Sequence, residues 1–189
     1  WGMTASGLEA RTLAEFGDSV WMVESSGCGI LRYGSAFLID STHLVTNNHI
    51  VSIDGTPKLF SQDGRELEGV VIGGSNLPDV AIVEVPEEIV QPLVWAETES
   101  LDLSTVLTVL GYDNRLGPES SLAASITEVV DQESNRPGQA AYWDPDKKIE
   151  VVAPRFTRSL ITDSAVGSGH GGAPAITTDG QIAGIITEL

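Results

Sequence analysis

A single cysteine, Cys28, in 189 residues excludes any intrachain disulfide, so the fold must be held by its core. That scarcity fits a reducing cytosol, with a periplasmic protein that does without disulfides as the other setting. Basic residues are also few. Lys and Arg number 10 against 27 Asp and Glu, a formal net charge of −17, which sets the surface against nucleic acid and anionic lipid and in favour of basic peptides or partners. No stretch comes near the roughly 18 to 20 apolar residues that a membrane span requires. The opening Trp1-Gly2-Met3-Thr4 lacks the basic region and apolar run of an export leader, and a leader already removed would leave no trace. Zinc-type Cys/His spacing, an EF-hand loop and the phosphate-cradling G-x-x-x-x-G-K-[ST] are missing, so no metal or cofactor is expected. The reading is a soluble acidic domain.

What the chain does have is many short β-branched runs separated by turn residues, at 19–25, 29–39, 43–46, 58–61, 67–72, 80–85, 105–110, 121–130, 148–153, 173–177 and 181–187. Their regular spacing predicts an all-β antiparallel sandwich or barrel rather than βαβ units. Ahead of them, residues 8–16 predict a short helix with Leu8, Leu13 and Phe16 on one face, ended by Gly17 and docked on the barrel. One domain in two similar lobes is the default at this length. The stretch 86–104, with Pro86, Pro92 and a cluster of acids, reads as the connector, which puts one lobe at about 17–90 and the other at about 105–189. Residues 131–146 read as a long surface loop anchored by Tyr142 and Trp143.

Three segments carry the chemistry. His49 follows the apolar strand end Leu44-Val45 in a Thr-Asn-Asn-His turn, where an imidazole facing a cleft can move protons near neutral pH. By itself such a histidine is more often structural, as His43 and His170 illustrate. Asp79 immediately precedes the run 80–85, a strand entrance at which a buried carboxylate can orient an imidazole; a turn or capping aspartate is the alternative. In Gly169-His170-Gly171-Gly172-Ala173-Pro174 the glycines permit a sharp turn that aims successive N–H groups into one small volume, a nest suited to an oxyanion. The letters also satisfy G-x-G-x-x-G through Gly167, Gly169 and Gly172. A dinucleotide site needs a helix next, whereas Pro174 and a β-type run follow, which rejects it.

Together these segments resemble the trypsin-like serine peptidases, and within them the bacterial HtrA branch. Gly34-Ser35-Ala36-Phe37-Leu38-Ile39 with Leu44-Val45-Thr46-Asn47-Asn48-His49 is similar to that branch's histidine segment, and Asp79-Val80-Ala81-Ile82-Val83 to its aspartate segment. Residues 162–174 are similar to its serine segment, and Gly180-Gln181-Ile182-Ala183-Gly184-Ile185 to the strand behind it. The three motifs also come in the order His, Asp, nucleophile. The resemblance implies two six-stranded antiparallel β-barrels with the chemistry between them, and hydrolysis of protein or peptide substrates through an acyl-enzyme. It implies His49 as general base, Asp79 as its orienting partner, Gly171 at the nucleophile position, and Gly169 and Gly171 as the oxyanion hole.

Three departures qualify it. Glycine stands at 171 where the family has serine, so the chain as it stands is expected to be inactive. A single directed change leaves such a pattern, and a natural pseudoprotease that binds peptides without cutting them is the alternative; a β-barrel with a structural or assembly role is a third reading. The family's pocket floor falls at Ala165 with Val166 beside it, which implies small or aliphatic side chains before the scissile bond. The chain also stops at Leu189, one strand short of the family pattern, which implies trimming or a continuation into a regulatory or peptide-binding domain.

Overall fold

A computed structural model describes residues 5–27, 29–52, 55–76, 78–97, 101–113, 120–133, 138–144, 149–155, 159–162 and 169–187, with side chains outside 132–161. Helix α1 (Ala5–Phe16) begins one turn earlier than its apolar spacing indicates and passes at Gly17 into a 3-10 turn. Its Leu13 and Phe16 pack against the apolar cluster between the lobes. The Phe16 ring covers Gly180, where an added Cβ would lie 2.5 Å from Cζ, and Arg11 Nη2 donates to the Thr178 carbonyl at 2.6 Å. The helix is thereby clamped to a turn almost the whole chain away.

The first lobe is one antiparallel sheet. Its strands are β1 (Val20–Gly27), β2 (Ile30–Leu38), β3 (His43–Thr46), β4 (Lys58–Phe60), β5 (Glu66–Glu68), β6 (Val70–Asn76) and β7 (Asp79–Glu84), with helix α2 (Asn48–Val51) between β3 and β4. The order across the sheet is β5-β4-β1-β2-β3-β7-β6. Its two outer strands are separated in the chain by Gly69 alone, so the sheet curls until its edges are two halves of one bent strand. The bend requires glycine: a Cβ at 69 would lie 2.4 Å from Val83 Cγ1 and 2.9 Å from Leu59 Cδ1. Trp21, Leu38, Leu44, Leu59 and Val83 fill the interior, and the Arg65 guanidinium lies 5.0 Å from the centre of the Trp21 ring.

The second lobe contains β8 (Val94–Trp95), β9 (Val106–Tyr112), β10 (Leu122–Glu133), β11 (Gly138–Asp144), β12 (Ile149–Arg155), β13 (Ser159–Thr162), β14 (Pro174–Thr177) and β15 (Gln181–Ile185). Six of these form a sheet in the order β13-β10-β9-β14-β15-β8, and β11 pairs with β12 in a separate hairpin. All pairings are antiparallel except that of β8 with β15. The architecture is thus mostly β with one short N-terminal helix, as expected. β1 explains why the lobes stay together: Trp21 and Val23 enter the first core, while Val20 and Met22 join Phe37, Leu110, Ile176 and Ile182 in a second cluster. A strand buried on both faces reads as an unbroken apolar run, which Val20-Trp21-Met22-Val23 is.

One expectation needs correction. Residues 131–146 are not a long loop: β10 continues to Glu133, and Gly138–Asp144 is a strand paired along its length with Ile149–Arg155. Gly138 and the polar residues before it hide the strand, because the hairpin's backbone pairing rather than apolar alternation defines it. The proposed anchoring by the Tyr142 and Trp143 side chains lies outside the described residues. The connector also carries a short strand, β8, whose Trp95 sets its ring edge-on to Phe37 at 5.8 Å.

Candidate active site

Asn47, the last residue before α2, is extended at φ −76° and ψ 140°, and one helical turn follows. Ile50 and Val51 drop into the first-lobe core, which turns His49 outward: its side chain is 46% exposed, against 5% for Asp79. Asp79 opens β7, where strand alternation sends its side chain inward. The carboxylate grips His49 at two points. Oδ2 lies 2.5 Å from Nδ1, and Oδ1 accepts the His49 backbone N–H at 2.9 Å. A carboxylate acceptor places the proton on Nδ1, so Nε2 is the nitrogen left with a lone pair.

The residues flanking His49 hold this arrangement, a role the sequence reading did not assign. The buried Asn47 amide donates to the Asp79 carbonyl at 2.9 Å and to Thr187 Oγ1 at 3.4 Å. Asn48 Nδ2 donates to Asn76 Oδ1 at 2.6 Å, over Gly74, whose missing Cβ would sit 2.3 Å from Asn48 Oδ1. Arg32 Nη1 donates to the His49 carbonyl. The signal available in the sequence was the pair of short amides beside the histidine, able to bond to backbone where longer side chains cannot.

The glycine turn of the second lobe lies against the same segment. A Cβ on Gly172 would sit 2.1 Å from the Ser35 carbonyl oxygen, 2.6 Å from Thr46 Oγ1 and 3.1 Å from Asn47 N. One on Gly34 would meet Ile50 Cδ1 at 2.1 Å and the Gly171 carbonyl at 2.9 Å. The turn therefore packs on Ser35, Thr46 and Asn47, the last two just ahead of His49. Gly169 and Gly172 have φ of 96° and 82°, a conformation that favours glycine, whereas Gly171 is not among the positive-φ residues. Backbone geometry does not demand glycine at 171. The N–H groups of Gly172 and Ala173 donate to Ile186 and His170 carbonyls at 2.9 and 2.8 Å, while among the described residues the Gly171 N–H, in a buried position, makes no hydrogen bond. Such a donor is available to an incoming anion.

The other two histidines lie elsewhere in function. His43 pairs with Asp40 on the surface at 2.8 Å, and the N–H donors of Thr42 with the His43 ring hold the Asp40 carboxyl below the usual carboxylate range. His170 is buried against Gly111, where a Cβ would come within 2.7 Å of the ring. Ala165 and Val166, expected at the pocket floor, lie outside the described residues, as does Cys28. Among the described residues no three His, Cys, Asp or Glu side chains converge as metal ligands do. No helix among them is long and apolar enough to cross a membrane.

The chain is similar to known proteins. A family model for the trypsin-like peptidase domain matches residues 34–185. The chain is 28% identical over 157 residues to the putative serine protease HhoB of Synechocystis, covering 82% of this chain and 34% of that protein. It is 28% identical over 163 residues to the serine protease Do-like HtrA of Bacillus subtilis, covering 85% of this chain and 32% of that protein. The chain thus spans about a third of the length of these curated relatives. Among solved structures, the active form of the Rv3671c protease from M. tuberculosis aligns with a TM-score of 0.80 at 25% identity, covering 93% of this chain and 72% of that one.

Proposed function

Because this chain belongs to the trypsin-like peptidase domain family and is of the HtrA type, we propose that its cleft is a serine-endopeptidase site in which glycine occupies the position of the nucleophile. His49 is the general base, acting through Nε2. Asp79 holds the productive tautomer and steadies the imidazolium that forms when a proton arrives. The N–H groups of Gly169 and Gly171 receive the oxyanion of the tetrahedral intermediate. The observation that carries this reading is the two-point grip of Asp79 on His49, set beside a glycine turn whose Gly171 N–H is unspent.

With serine at 171 the cycle closes on these groups. Its hydroxyl oxygen attacks the scissile carbonyl carbon and its proton passes to His49 Nε2. The imidazolium returns that proton to the leaving amine as the carbon–nitrogen bond breaks, and water repeats the sequence on the acyl-enzyme. Without the hydroxyl, turnover falls by a factor on the order of 10⁶, and the residual catalysis comes from binding and the oxyanion donors. Ala165 and Val166, by their place six and five residues before 171, favour small or aliphatic side chains ahead of the cleaved bond.

Glycine at 171 also supports a second reading, a natural pseudoprotease that holds peptides without cutting them. Gly171→Ser separates the two. The endopeptidase reading expects hydrolysis of peptides with Val, Ala or Leu before the scissile bond, raised on the order of 10⁶ over the unaltered chain. No cleavage across a broad peptide library, with peptide binding retained, gives the site to the pseudoprotease.

A further inference from the structure

Ser35, in the middle of β2 and fully buried, is bonded to three separate parts of the molecule. Its backbone N–H donates to the Gly171 carbonyl at 2.8 Å. Its hydroxyl donates to the Gly169 carbonyl at 2.9 Å and accepts the Tyr112 N–H of β9 at 3.0 Å. Its carbonyl accepts from Thr46 Oγ1 at 2.8 Å, three residues before His49. These contacts are open to it because β3 pairs with β2 only at Phe37 and Leu38. The edge of β2 at Ser35 is left for the glycine turn of the other lobe.

We propose that Ser35 is the positioning residue for the oxyanion-binding turn, tying it to the same strand edge that supports His49. The argument rests on how peptide planes are fixed. The Gly171 N–H belongs to the peptide unit between two carbonyls, Gly169 and Gly171, and Ser35 holds both. A turn with a positive-φ glycine on each side of 171, at 169 and 172, has more backbone freedom than residues with side chains would give it. Bonds within its own lobe, from Gly172 and Ala173, close the turn but do not relate it to the imidazole. The Ser35 hydroxyl and amide supply that relation, and Thr46 Oγ1 extends it to the base. Ser35 is sealed from the cleft, so it acts through the turn and touches no substrate.

This inference rests on the endopeptidase reading for its catalytic arm only. In the Gly171→Ser background, Ser35→Ala lowers kcat about 10²-fold while KM stays within about threefold, the cost of displacing a donor by a fraction of an ångström to an ångström. Thr46→Val, which removes the hydroxyl bonded to the Ser35 carbonyl, lowers kcat about tenfold in the same sense and serves where Ser35→Ala does not fold. The second arm needs no activity. In the chain with Gly171 in place, Ser35→Ala speeds hydrogen exchange at the Gly172 and Ala173 amides at least tenfold more than at Leu44 and Val83 in the first-lobe core. Equal acceleration at all four amides, or none, overturns the proposal, as does an unchanged kcat in an active Gly171→Ser protein. Should Gly171→Ser cleave nothing, the endopeptidase reading fails and the exchange arm still decides the role of Ser35.

Discussion

In the first lobe the candidate site consists of side chains, His49 and Asp79, rooted on α2 and at the entrance of β7. In the second it consists of backbone, the turn 169–172, whose shape is enforced from outside by Ser35, Thr46 and Asn47. The two halves therefore fail in different ways. The side-chain half is sensitive to the identity of an atom, since exchanging one oxygen for nitrogen reverses the direction of a hydrogen bond. The backbone half is sensitive above all to volume, because the first lobe presses directly on it.

The largest expected effect falls on the side-chain half. Asp79→Asn in the Gly171→Ser background lowers kcat on the order of 10⁴-fold, because an amide donor at Nδ1 selects the wrong imidazole tautomer. Steady-state kinetics with one aliphatic peptide measures it, and a loss below about tenfold would place Asp79 outside the catalytic machinery. Next comes a pair of alanine substitutions in the backbone half. Gly172→Ala costs roughly 2–4 kcal/mol, combining a left-handed side-chain penalty with overpacking against the Ser35 carbonyl at 2.1 Å. Gly171→Ala, at a residue without positive φ, costs within about 1 kcal/mol. Urea unfolding of the two variants compares them directly, and equal costs would remove the distinction between a glycine the fold needs and one it does not.

The smallest effect tests the packing where the lobes meet. Tyr112 is buried in the shared cluster, among the described residues with no hydrogen-bond partner for its hydroxyl, and burial, with Asp63 and Asp18 nearby, pushes the phenol pKa up. Tyr112→Phe leaves the ring and removes the unpaired oxygen, so stability stays level or rises by up to about 1 kcal/mol. A fall of that size would mean that the hydroxyl contributes a bond the packing conceals.

Much of this was legible before any coordinates. Short β-branched runs gave most of the strands to within a few residues, because half-buried strands of this kind carry their periodicity openly. Although β12 falls in the run read at 148–153, its partner β11 escaped, since its glycine-led sequence shows no such pattern. So did β8, too short at two residues to leave a signal. The candidate site was legible at His49 and Asp79, whose residue types suit the proposed chemistry. It was not legible at Ser35, Asn47 and Asn48, whose importance lies in partners up to 140 residues away along the chain. A short polar side chain looks alike in a surface turn and in a buried bridge until its partner is known.

The order of letters along the chain determined the fold class, the helix at the start, the acidic character and the absence of a hydroxyl at 171. Those depend on residue type and local spacing, which sequence contains in full. Tertiary structure alone decided that Asp79 holds His49 by both its ring and its backbone, that Gly172 and Gly34 have no room for a side chain while 171 has a backbone that accepts one, and that Ser35 joins the two lobes. Each of these is a contact between segments far apart in the chain, and which of them meet depends on how the sheets curl and pack.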